Sequence, residues 1–235
     1  MRAVSSGGVV IVLALLCTTG QACFAQGSFT NLDFEAARIT LDTSSPYYPY
    51  AAIATRALPG WSFDGFRPGG SDIGYDSGTA GSAAVSIHDT NTYLSLVPIL
   101  QGRYSAFLQG EYTFNPNAVS VSLWQTGQIP LNAQSMTFWG GDFAATFQIT
   151  FNGQYIPFGI IGSGANYNIY GGDISAFAGQ TGELRFTALP RTESGIDNIQ
   201  FSNQPIPEPS GLVLFGLGTL FLSIYRFTAR RSACG

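Results

Sequence analysis

The chain has no lysine, and all ten of its basic residues are arginine. Charge of either sign is scarce: 10% of the 235 residues, against about 25% in an average soluble domain. With a net charge of −4 and no basic cluster in the body of the chain, nucleic acid is excluded as a partner. Histidine occurs once, at His88. A multi-histidine metal site therefore cannot be built, and any catalytic triad would have to use that one side chain. No Gly-x-Ser-x-Gly elbow, His-Glu-x-x-His pair or phosphate-binding loop occurs. The three cysteines (Cys17, Cys23 and Cys234) sit at the extremes, so the body of the chain is no disulfide scaffold. What is abundant is aromatic side chains, at 14%, and glycine, at 29 residues. That composition belongs to a packed, turn-rich fold and not to a disordered chain.

Both ends read as segments for export. Residues 1–25 have the pattern of a signal peptide: Arg2, an eight-residue apolar run over 9–16, then Cys23-Phe24-Ala25 with small residues at −3 and −1 of a cleavage point after Ala25. The run is too short to span a bilayer. At the other end, Pro205-Ile206-Pro207-Glu208-Pro209 forms a stiff extended stretch. Residues 210–225 follow without a charge. As a helix they reach roughly 24 Å against a ~30 Å hydrocarbon core. Arg226, Arg230 and Arg231 come next and place the C-terminus in the cytoplasm, with the preceding domain outside.

The order Pro207-Glu208-Pro209, short apolar helix, terminal arginine cluster (residues 205–235) resembles the PEP-CTERM protein-sorting domain. The resemblance implies a Gram-negative bacterium that makes extracellular polysaccharide. It also implies a tail recognised and removed by an exosortase, after a signal peptidase has acted at the other end. An ordinary single-pass anchor is the alternative, and it too puts the middle of the chain outside.

The remaining ectodomain, residues 26–204, holds six arginines against thirteen acids, a net charge of −7. Its apolar residues alternate with period two. Val119, Val121 and Leu123, then Leu184 and Phe186, then Phe147, Ile149 and Phe151 each face one way. Asn152-Gly153 between two such runs predicts a tight hairpin. Further strands are expected at 29–34, 83–88, 104–109, 135–139 and 196–201, one short turn at 173–179, and long loops around Pro46–Pro49 and 59–70. The fold class expected is all-β, an antiparallel β-sandwich of the jelly-roll kind. The stretches 29–35, 58–61 and 196–202 also resemble a recurrent PEP-CTERM ectodomain related to galactose-binding-like and carbohydrate-binding sandwiches, in which first and last strands pair.

Candidate sites follow from chemistry. Tyr47, Tyr48 and Tyr50 lie in a proline-bounded loop, and Trp61 and Asp64 in a Gly/Pro-rich one that also holds Phe66. Flat rings stack on the apolar faces of sugars while carboxylates take hydroxyls, so Tyr48, Tyr50, Trp61 and Asp64 are the expected glycan contacts. Trp124 and Trp139 read as core. The sandwich resemblance implies a structural calcium joining Glu35 to Asp197, a hard ion on oxygen ligands. Against it stands a plain turn or strand-end hydrogen bond at Asp197-Asn198. His88 reads as structural, and a carboxylate pair for glycoside hydrolysis finds no sequence support. The expected function is a non-catalytic exported surface or matrix protein associated with polysaccharide, with glycan-binding capacity. The alternatives are an adhesive module and, last, a polysaccharide-processing enzyme.

Overall fold

The computed structural model describes residues 24–25, 27–64, 71–77, 83–90, 99–112, 118–141 and 144–206. The expected signal segment up to residue 23, Phe66, Pro207-Glu208-Pro209, the span 210–225 and Arg226, Arg230 and Arg231 lie outside the described residues. No helix among the described residues is long and apolar enough to cross a membrane.

The described chain is a β-sandwich. Its strands are β1 (Phe24–Ala25), β2 (Ala51–Ile53), β3 (Ser62–Phe63), β4 (Asp72–Tyr75), β5 (Ala84–Asp89), β6 (Tyr104–Gln109), β7 (Val121–Gln128), β8 (Ser135–Gly140), β9 (Gln148–Phe151), β10 (Gln154–Tyr155), β11 (Gly159–Ser163), β12 (Asn168–Asp173), β13 (Thr181–Ala188) and β14 (Glu193–Ser202). One helical turn, α1 (Ala54–Ala57), follows β2, and a 3₁₀ turn at Ser175–Phe177 sits where a short turn was expected. One sheet runs β11-β12-β8-β14-β6-β5-β4-β2, with β1 also on β14; the other runs β10-β9-β13-β7-β3.

The five-stranded sheet follows directly from the period-two pattern. Along β13, Gly182, Leu184, Phe186 and Ala188 are buried while the residues between them meet water. The strand pairs with β7 from Thr181↔Gln128 to Ala188↔Val121 without a register shift. The predicted hairpin forms between β9 and β10, with Asn152 at φ 49° and Gly153 at φ 76°. Two positive φ values are what a type I′ turn demands.

Three expectations need correction. Residues 29–34 form no strand. Asn31 and Phe34 both take positive φ, and the segment turns. Its Phe29, Leu32 and Phe34 are buried because the turn presses them into the core, not because they face one side of a sheet. The first strand does pair with the last, but through Phe24↔Ser202 and Ala25↔Phe201, two residues that the expected cleavage after Ala25 assigns to the signal segment. The sheet is also not wholly antiparallel, since β4 and β5 run parallel through Gly74↔Ser86 and Tyr75↔Ile87.

Between the sheets lies one core, with Phe138, Phe158, Tyr170 and Phe186 meeting at ring separations of 5.1–5.9 Å. Trp61 joins it from the start of β3, 5.5 Å from Phe34 and 6.5 Å from Phe186.

Candidate functional site

The segment between Leu41 and β2 is a run of turns, and short polar side chains hold it. Asp42 Oδ1 accepts both the backbone N–H and the hydroxyl of Ser44, at 2.9 and 2.6 Å. Ser45 donates its hydroxyl to the buried Asp72 of β4 and accepts the Tyr47 N–H at 3.2 Å. Backbone bonds Tyr48 N–H to Ser45 O and Tyr50 N–H to Tyr47 O close two further turns, and the Tyr48–Pro49 bond is cis. The Tyr75 N–H then donates to Tyr50 O and ties the loop to β4. This brace leaves three rings in solvent: Tyr47 is 42% exposed, Tyr48 53% and Tyr50 47%. Phenolic rings held outward on a fixed loop offer flat apolar faces with a hydroxyl at the rim.

Trp61 and Asp64 do not belong to that surface. Trp61 is 7% exposed, and its indole N–H donates to Asn31 O at 2.9 Å. With Phe34 stacked on it, it has no open face for a sugar. Its glycan role is withdrawn because core packing and a backbone acceptor use the whole side chain. Asp64 is exposed, but its Oδ2 accepts the Ser122 N–H at 2.8 Å while its own N–H donates to Ser122 O, extending the β3–β7 pairing by one rung. It sits on the five-stranded sheet, whereas the tyrosine loop leads into the nine-stranded one.

Glu35 and Asp197 do converge, as expected, on one loop. Glu35 Oε1 accepts the N–H groups of Arg103 and Tyr104, at 2.7 and 3.0 Å. Gly102 lies against the same carboxylate at φ +59°, where any Cβ would strike Oε1. From the other side Asp197 Oδ2 accepts the Gln101 N–H at 3.2 Å and the Ser105 hydroxyl at 2.7 Å, and Oδ1 accepts the Asn198 N–H at 2.6 Å. Burial pushes the Asp197 carboxyl up to about 8, against the pull of those three donors. The donor set does not fit calcium: three of the four carboxylate oxygens already accept N–H or O–H groups, and no group of three or more His, Cys, Asp or Glu with metal-holding geometry exists among the described residues. The two carboxylates work here as a clamp on residues 101–105.

His88 is 3% exposed, and burial lowers it to about 4, so it is neutral in the fold. Its Nε2 lies 3.1 Å from Ser86 Oγ, its ring meets Phe107 edge-on at 5.3 Å, and its buried Nδ1 has no hydrogen-bond partner. No carboxylate orients the imidazole, and neither side chain of the Ser86–His88 pair reaches solvent.

Sequence reasoning missed one polar constellation. Asp89, 2% exposed, receives the guanidinium of Arg103 on both oxygens, at 3.3 and 3.1 Å, and the Tyr75 hydroxyl at 3.4 Å. Its N–H donates to Asp76 Oδ1 at 2.8 Å. Burial and the nearby Asp76 raise the Tyr75 hydroxyl well above the ordinary phenol range. The available signal was an acid directly after His88, where a strand exposed on one face would place an apolar residue. Trp124 and Trp139 are also corrected. Both are half-exposed, Trp124 under the Arg185 guanidinium at 3.9 Å and Trp139 stacked on Tyr167 at 4.0 Å with 6° between the planes.

No family model matches the chain, and no curated protein matches it. Among solved structures, a Stig cyclase, Fisc from Fischerella sp. TAU, in complex with (3Z)-3-(1-methyl-2-pyrrolidinylidene)-3H-indole, is similar over 79% of this chain and 100% of its own, at 15% identity and a TM-score of 0.42. TmCBM61 in complex with beta-1,4-galactotriose is similar over 75% and 98%, at 13% identity and a TM-score of 0.33. At these scores neither likeness bears on the site.

Proposed function

We propose that the protein is a non-catalytic, exported surface or matrix component that engages extracellular polysaccharide through its tyrosine loop. The observation that carries this reading is three consecutive-turn tyrosines, Tyr47, Tyr48 and Tyr50, each more than two-fifths exposed on a loop braced by Asp42 and the Ser45–Asp72 bond. Exposed aromatic rings are costly to leave in water unless something covers them. A neutral, ring-faced ligand suits an acidic domain better than an anionic one does. The address comes from the ends of the chain. The signal segment is removed by a signal peptidase, the precursor is held in the membrane by residues 210–225, and an exosortase acts at Pro207-Glu208-Pro209. The ectodomain between them is a jelly-roll-like sandwich presented at the cell surface or released.

A glycan array probed with the exported protein and with a Tyr48→Ala/Tyr50→Ala double variant tests the binding role. Binding to neutral glycans is expected, weakened at least ten-fold in the variant. No binding to any glycan, or equal binding by both proteins, removes the proposal. Mass spectrometry of the mature protein tests the address: its mass should lack residues 210–235.

A further inference from the structure

The described sheets end in edges, and most of those edges are managed. At the outer side of β2 the chain itself adds cover. Leu41 bridges to Ala52, the Asp42 N–H donates to Ala51 O, and the Ile53 N–H donates to Thr40 O. Strands β1, β3 and β10 are two residues each, too short to template a partner. Strand β11 is different. It is five residues long, ends the nine-stranded sheet, and among the described residues pairs only with β12. Natural sheets blunt such an edge with lysine, proline, an inward charge or a bulge. Gly159-Ile160-Ile161-Gly162-Ser163 has none of the first three. Its one irregularity is a register shift between Ile160 and Gly162, and it leaves Ile160 58% and Ile161 40% exposed.

The surroundings say what could sit there. Residues 143–172 contain no charged side chain, a run of thirty in a domain whose remainder carries net −7. Residues 112–141 are equally free of charge, but their strands β7 and β8 are each already paired on both sides. Two copies meeting at β11 bring neutral against neutral, with backbone N–H and C=O groups available on both sides. The same uncharged run carries Tyr155, 55% exposed, at the neighbouring edge of the other sheet, so the flank is neutral across both layers.

We propose that β11 is a self-association edge, at which a second copy of this chain adds antiparallel and two-fold to make one continuous sheet. A two-fold contact presents the same strand on both sides, which suits a segment with no charge to oppose itself. Edge addition draws affinity from main-chain hydrogen bonds and specificity from alternate side chains; here those are Ile160 and its copy.

Sedimentation velocity on the full chain in mild detergent, over a hundred-fold concentration range, tests this. A concentration-dependent dimer is expected. Ile160→Lys should weaken it at least ten-fold without lowering the melting temperature, because the side chain is exposed. Ser163→Lys, also exposed at the strand end, is the second variant should the first fail to fold, and Val119→Lys, exposed ahead of β7 and outside the 143–172 run, should leave the dimer intact. A wild-type chain that stays monomeric throughout overturns the proposal. So does a dimer that survives both β11 variants, or a chain that associates at β11 only with a different protein.

Discussion

The two sheets obey different rules about their outer faces. In the five-stranded sheet β13 alternates strictly, buried then half-exposed, so one side meets the core and the other meets water. In the nine-stranded sheet every residue of β5 and β6 is buried. The inner positions there are apolar: Val85 opposite Leu108 and Ile87 opposite Ala106. The outer positions carry Ser86, His88, Ser105 and Gln109, polar yet dry, beside the apolar Ala84 and Phe107. A covering segment explains the difference. Leu100 packs over Gly195, the Leu100 N–H donates to Ser105 Oγ, and Asp197 and Glu35 hold the loop that follows. A buried polar group costs little only while it keeps its partners, so this sheet carries a network where the other carries solvent.

The largest effects should fail to distinguish the sheets, because both share one core. Phe138→Ala in β8 and Phe186→Ala in β13 each remove a fully buried ring from the same cluster. Each should cost about 3–5 kcal/mol in denaturant unfolding. The double variant should lose less than the sum, since the two rings touch at 5.6 Å. The outer faces should then separate them. Ser105→Ala takes from Asp197 its 2.7 Å hydroxyl donor inside the covered network and should cost about 1–3 kcal/mol. Thr150→Ala, half-exposed on β9, should stay within about 0.5 kcal/mol. Equal losses for these two would erase the distinction drawn between the faces.

How much of this was legible depended on whether a strand kept one face wet. Where it did, as at 181–188 and 148–155, alternation and the Asn152-Gly153 pair located strand, register and turn. Strands 84–89 and 104–109 were found as well, but the burial of His88, Asp89 and Ser105 was not, because it comes from tertiary packing that the strands' own pattern does not carry. Trp61 was misplaced for the same reason. A tryptophan beside Pro59 and Gly60 reads as a loop ring until the turn at 31–34 supplies Phe34 and a carbonyl to hold it. The tyrosine loop was legible because prolines bound it and nothing apolar alternates through it. The meeting of Glu35 with Asp197 was legible too. Their ligands were not, since backbone N–H groups leave no mark in a sequence.

The covered network also gives the sheets different answers to pH. Asp197 is raised from 3.8 to about 8 in the fold, so between those values the folded chain binds more protons than the unfolded one. Stability from this group is complete below about pH 4 and is lost as pH rises toward 8. His88 is lowered from 6.5 to about 4, so here the unfolded chain binds more protons, and stability is lost as pH falls from 6.5 to 4. The two slopes oppose each other below 6.5, and only the Asp197 slope remains above it. The melting temperature should therefore fall between pH 6.5 and 8, and Asp197→Asn should flatten that stretch. A wild-type curve that is level or rising there would show that the carboxyl is ionised in the fold.

On the wet face of the five-stranded sheet the corresponding polar cluster should be nearly dispensable. The Arg185 guanidinium lies 3.9 Å above the Trp124 ring, and its Nε donates to Glu183 Oε1 at 2.7 Å. The side chains of Arg185 and Glu183 are 28% and 36% exposed, so water competes for both contacts. An exposed cation–π pair and a surface ion pair are each worth about 0.2–1 kcal/mol, and Arg185→Ala should cost about 1 kcal/mol at most. Because the ion pair is screened by salt, part of even that cost should vanish at high ionic strength. The ring-packing part should persist, and it should appear as easier quenching of Trp124 fluorescence by acrylamide in the variant. A loss as large as that of Ser105→Ala would mean that this face, too, is closed to solvent.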